Sequence, residues 1–205
     1  MAVIEVTATA IGALLPITNP VGALAAYTGV TDGMDRADIR SQAVRAGAYA
    51  FAILAVFTLF GSLVLSALGI TLGALQLAGG LVVAHSGFGM LAPGPKLNRE
   101  EHVDAVTKRD VSFTPMALPL IAGPGAIGVV IALTARNPHW GDRLSVLVAA
   151  ALISAVTIVM LRYGTPLVTR LGAAGVGAVV RIMGFLILAI GVELVVHGLQ
   201  ALHVV

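Results

Sequence analysis

Two short stretches set proline beside small and hydrogen-bonding residues inside otherwise apolar sequence: T-N-P-V-G-A from Thr18 to Ala23, and A-G-P-G-A-I from Ala122 to Ile127. Proline has no N–H and pushes the residue before it out of the helical region, so Asn19 and Gly123 are expected to be extended or otherwise non-helical. A helix restarts readily at Pro20 and Pro124, because proline suits the first helical position. Each restart exposes backbone N–H groups, from Val21, Gly22 and Ala23 in one stretch and from Gly125, Ala126 and Ile127 in the other, and such helix starts attract negative charge. The carbonyls that end the preceding half-helices, from Leu15 to Thr18 and from Leu118 to Ala122, favour a cation. With no Lys or Arg in either stretch, this mixture of polarity suits a small zwitterion better than a lone anion. The Asn19 amide and Thr18 hydroxyl are the groups to orient it, and glycine at 22, 123 and 125 lets a ligand approach the backbone closely.

The elements that carry these stretches are membrane helices. Of 205 residues 58% are hydrophobic and only 11% charged, and the mean hydropathy is +0.99, which leaves too little polar surface for a soluble domain. At roughly 20 apolar residues per crossing, six segments qualify, at about 5–30, 43–68, 70–91, 112–134, 144–165 and 178–202. Asn19 and Gly123 fall near the middle of the first and fourth. An irregular backbone at that depth needs a neighbouring segment, a water-filled cavity or a ligand to satisfy it.

Charge placement orients the chain. Of the twelve Lys and Arg residues, ten fall after the first, third and fifth segments: Arg36, Arg40, Arg45, Lys96, Arg99, Lys108, Arg109, Arg162, Arg170 and Arg181. Only Arg136 and Arg143 fall in the alternate connections. The positive-inside rule then puts the 92–111 loop in the cytoplasm and both termini outside, with Trp140 as an outer interfacial anchor. The start of the chain carries Glu5 and no basic residue before Thr9, so the first segment is read as a retained helix rather than a signal peptide. Scattered basic residues without an aromatic stripe argue against nucleic-acid binding. The absence of cysteine excludes thiol chemistry and thiolate metal sites. With no nucleophile-and-base pair, phosphate loop or metalloprotease motif, neither an enzyme nor a cofactor is expected.

The chain also repeats itself. Pro20 and Pro124 are 104 positions apart (124 − 20), the segments ending at Gly69 and Gly172 match at 103 (172 − 69), and those around Gln76 and Arg181 match at 105 (181 − 76). Three crossings per repeat force the halves into opposite orientations. The expected architecture is therefore one all-α membrane domain, 1–205, built as an inverted 3+3 repeat of 1–91 and 112–205, with the first and fourth helices discontinuous at mid-membrane.

Three further residues are candidates for gating or coupling. Gln76 and Arg181 occupy matching places in the third and sixth segments. Glu193 is an intramembrane carboxylate and a functional candidate by default, although an i, i+4 hydrogen bond to His197 is the favoured reading of it. His85 is read as a hydrogen-bonded core histidine, and Gly79, Gly80, Ala84 and Gly184 as points of close helix approach.

N-P-V-G-A in the first segment, A-L-P-L-I-A-G-P-G-A-I in the fourth, L-Q-L-A-G-G-L in the third and R-I-M-G-F-L-I-L-A-I-G in the sixth resemble the MarC family of bacterial and archaeal inner-membrane proteins over nearly the whole chain. One departure is Gln76, which stands where the family pattern often has arginine. The resemblance implies an inner-membrane location and, by analogy with SnatA-type members, transport of small neutral amino acids such as glycine or alanine. The resulting expectation is a secondary transporter working by alternating access across the bilayer, coupled to H+ rather than Na+ because no Asp lies near the breaks. Its substrate-binding set is Thr18, Asn19, Pro20, Val21, Gly22, Ala23, Ala122, Gly123, Pro124, Gly125 and Ala126. The alternatives are a passive channel for water or a small neutral solute, and a non-transporting membrane partner protein.

Overall fold

Each proline break marks an element boundary in the folded chain. The computed structural model describes residues 3–91, 110–136 and 139–203, and the elements among them are all helical: α1 (Val3–Thr18), α2 (Pro20–Val30), α3 (Arg36–Leu68), α4 (Leu72–Leu91), α5 (Ser112–Ile121), α6 (Pro124–Arg136), α7 (Trp140–Tyr163) and α8 (Thr165–Ala201). Most of the 92–111 loop, with Lys96, Arg99, Lys108 and Arg109, lies outside the described residues. Five spans are long and apolar enough to cross a bilayer, Val3–Val30 being one of them. There are six if the bent pair α5 and α6 counts as one.

α5 is the least regular element. Thr114 and Leu118, each directly before a proline, have extended backbone angles inside it, as the steric effect of the proline ring on its predecessor requires. Its turns are widened, with the Met116 N–H donating to Val111 and the Ala122 N–H to Ala117, each five residues back. The axis then bends by 57° between Ser112–Ile121 and Pro124–Ala135. The sequence locates the fourth segment's break at Gly123, whereas the irregularity extends back to Thr114 because Pro115 and Pro119 each remove a helical donor as well.

Two helices exceed their expected lengths. α3 begins at Arg36 and α8 at Thr165, instead of 43 and 178. The residues taken as a connection after Thr165 are mostly Leu, Val, Ala and Gly, which have no reason to leave a helix. The one interruption is Gly172, whose positive φ of 62° only glycine adopts freely.

The interior is packed with small side chains. Ala43, Ala46 and Ala50 of α3 and Ala149, Ala150 and Ile153 of α7 are buried together with Leu14 of α1 and Leu24 of α2. Large apolar residues face outward instead, among them Phe60, Leu63, Val156, Val159 and Phe185. That inversion is what lipid as the surrounding solvent demands. The tightest pairing joins α4 and α8 through glycines seven residues apart on each helix. A β-carbon on Gly80 would stand 2.7 Å from the Gly191 carbonyl oxygen, and one on Gly87 would stand 2.8 Å from that of Gly184. A third crossing brings Gly198 to 2.9 Å from the Gly73 carbonyl by the same measure. The two helices thus run antiparallel with backbones in contact.

Polar contacts fasten the start of α5. Asp110 accepts from the Ser112 N–H at 2.9 Å and from its hydroxyl at 2.5 Å, and it pairs with Arg45 of α3 at 3.3 Å. Gln42 accepts from the Val111 N–H at 2.8 Å. The Ser112 hydrogen bonds, and then the Arg45 charge, hold the Asp110 carboxyl below the usual carboxylate range.

Candidate functional site

Asn19 joins α1 to α2 single-handed. Its N–H donates to Leu15 at 3.1 Å and so closes the last turn of α1. Its backbone then adopts the left-handed conformation, φ 39° and ψ 67°, which asparagine tolerates better than most residues. Its carbonyl accepts from the Ala23 N–H at 2.9 Å and its side-chain oxygen from the Gly22 N–H at 3.1 Å, the N-cap arrangement that satisfies orphan donors. Two expectations change. Asn19 is non-helical but left-handed rather than extended, and the Gly22 and Ala23 donors are already bonded within the protein. Thr18 is also turned to its own helix, its hydroxyl donating to Leu15 at 3.2 Å.

The second break is built differently. Gly123 belongs to neither helix, and its carbonyl accepts from the Ile127 N–H at 3.1 Å, which removes the third of the six donors expected to be exposed. A β-carbon on Gly123 would lie 2.4 Å from the Pro119 carbonyl oxygen, and one on Gly125 would lie 2.4 Å from a Val83 methyl. Glycine is therefore needed at both positions for close approach alone.

A cavity of about 250 Å³ opens at this second break, lined by Gly123, Pro124, Gly125 and Ala126 with Ile17 of α1 and the Val82, Val83, Ser86 and Met90 face of α4. Pro119, Leu120 and Ile187 complete the wall. Among the described residues no charged side chain lines it, and Ser86 supplies the one side-chain hydroxyl. Asn19 is set behind that wall, its amide nitrogen donating to the Met90 sulfur at 3.7 Å, a weak bond to a weak acceptor. Four of the expected binding residues, Gly123 to Ala126, thus share the cavity. Thr18, Asn19, Pro20, Val21, Gly22, Ala23 and Ala122 do not line it. The α4 contribution went unread in the sequence, although Val82, Ser86 and Met90 recur at helical spacing with one hydroxyl among them.

The three gating or coupling candidates lie elsewhere. Gln76 is buried, and its amide nitrogen has no hydrogen-bond partner. Arg181 is exposed on α8. Gln76 lies four residues before the Gly80 crossing and Arg181 three residues beyond the Gly184 crossing, so the two are roughly 20 Å apart along the α4–α8 pair at about 1.5 Å per residue. They do not meet as a joint gate. The Glu193 carboxylate is exposed and stands 3.4 Å from His197 Nε2, in the i, i+4 relation, and does not line the cavity. His85 is exposed, which corrects its reading as a core histidine.

The description "MarC family integral membrane protein" matches residues 4–203. The chain belongs to the MarC family. Its relatives include the inner membrane protein MarC of Citrobacter koseri, 34% identical over 198 residues and 90% of both chains. The proteins of the same name from Salmonella typhimurium and Escherichia coli are each 33% identical over 199 residues. The match covers 90% of this chain and of the Salmonella protein, and 91% of this chain and 90% of the Escherichia protein. No solved structure matches the chain. Membership in the MarC family makes this an inner-membrane protein with multiple apolar helices.

Proposed function

We propose that this MarC family protein is a secondary transporter of small neutral amino acids, such as glycine or alanine, working by alternating access around the cavity at Gly123–Ala126. The observation that carries the reading is the cavity itself. At about 250 Å³ it falls below the roughly 300–1,000 Å³ of pockets that hold drug-sized ligands, and it borders a helix start whose first N–H groups have no partner within their own helix. Gly125 and Ala126 bring those donors to a ligand carboxylate, and the Ser86 hydroxyl and the Pro119 carbonyl face the ammonium. Neither end of a zwitterion then needs a charged side chain.

Alternating access of this kind rests on an inverted 3+3 repeat, with both breaks at mid-membrane and both termini outside. The glycine crossings support that repeat. A shift of 104 positions takes Gly80 to Gly184 and Gly87 to Gly191, so it converts the Gly80–Gly191 contact into the Gly184–Gly87 contact. Two contacts that exchange under one shift are what a two-fold axis between α4 and α8 produces.

Coupling to protons remains the reading for the driving ion. The α4 wall and the carbonyl ends offer no Asp or Glu to fix sodium by charge. Protein reconstituted in liposomes is expected to give saturable glycine or alanine uptake driven by an imposed proton gradient. Uptake that follows a sodium gradient alone reassigns the ion. Flux that never saturates and shows no counterflow moves the protein to the passive-channel class.

A further inference from the structure

A second cavity of about 510 Å³ lies away from the breaks, where the start of α3, the end of α7 and the start of α8 come together. Its wall holds Arg36 and Arg40 from α3, Arg162 and Tyr163 from α7, and Thr165 and Thr169 from α8. Three arginines thus share one cavity, and among the described residues no carboxylate lines it. Asp35 and Asp38 stand beside Arg36 in sequence, yet both are exposed and outside the wall. Among the described residues the ion pairs are Arg45–Asp110 and Glu193–His197, and neither involves the three arginines.

Arg162 is held with its guanidinium carbon 5.3 Å from the centre of the Tyr163 ring, a cation–π contact that fixes the group without consuming its charge. The N-terminal ends of α3 and α8 bring positive dipole ends to the cavity, and the C-terminal end of α7 a negative one. Arginine forks match the oxygens of a phosphate.

We infer that this cavity binds the phosphate of an anionic phospholipid headgroup. Its position favours a lipid over a free ion: it forms where the membrane-spanning α3 and α7 end, its rim carries the exposed Tyr163, and Ile39 and Pro166 give the wall apolar surface. Aromatic and basic residues gather at that depth of the bilayer, and basic pockets between membrane helices take lipid headgroups. The inference does not depend on the transport reading.

The test uses the full chain purified in neutral detergent, with thermal unfolding and native mass spectrometry as readouts. Cardiolipin or phosphatidylglycerol is expected to raise the melting temperature and remain bound, whereas phosphatidylcholine and inorganic phosphate do neither. Arg36→Gln and Arg40→Gln, both at exposed positions, are each expected to weaken anionic-lipid binding by about fivefold, and Arg162→Gln by at least as much. Arg170→Gln, nearby on α8 but outside the wall, is expected to bind as the parent does. Equal binding by the parent and the Arg36 and Arg40 variants would overturn the site, as would an equal loss in Arg170→Gln. A shift produced by inorganic phosphate as large as that from lipid would overturn the lipid assignment.

Discussion

Single residues carry unequal burdens at the two breaks. Asn19 caps both α1 and α2, so Asn19→Ala removes a cap and forces alanine into a left-handed backbone. A loss of about 1–2 kcal/mol in stability is expected from the cap alone. Asn19→Gly keeps the backbone conformation at little cost and is expected to lose less; melting curves of the two variants side by side check the order. At the other break, Gly125→Val is expected to abolish substrate binding and to lower the melting temperature by overpacking, because the new side chain must push into Val83 and the cavity. Unchanged binding in that variant would remove the cavity from the account. Asp110 offers a pH test. Its carboxyl is held below its ordinary range, so its contribution is present at neutral pH and is lost as pH falls through the lowered value. Asp110→Asn is therefore expected to lower the melting temperature at pH 7 and to match the parent at strongly acid pH, where both side chains are neutral.

At the level of elements, the α4–α8 pair is the most constrained part of the fold. Its helices touch at glycine backbones, so a methyl group at the crossing has no space to enter. Gly191→Ala is expected to destabilise by about 1–3 kcal/mol through overpacking, while Gly177→Ala on the same helix, with nothing near its added β-carbon, is expected to stay close to the parent. Denaturation in detergent compares them. Much of this element structure was legible in the sequence. Proline at 20 and 124 located both restarts, because its missing N–H and ring act locally. The left-handed Asn19 was not legible, since capping of Gly22 outweighs the usual extended preference before proline. The extension of α8 back to Thr165 was missed because Gly172 looks like a terminator while its neighbours continue the helix.

Across the whole molecule, α4 and α8 meet along a glycine seam, a cavity opens at the second break, and a basic cavity lies where α3, α7 and α8 come together. Membrane class and family membership could be read from composition and motifs. The cavity could not, because it forms where α4 packs over Gly123–Ala126, and packing between segments leaves only a faint trace in local sequence. That same packing puts the cavity at one break only and leaves Asn19 behind Met90. The central claim is tested most directly by counterflow. Liposomes containing the protein and preloaded with unlabelled alanine should accumulate external labelled alanine transiently above equilibrium, and those with Gly125→Val should not. Accumulation no greater than in protein-free liposomes, for alanine and glycine alike, would contradict the account.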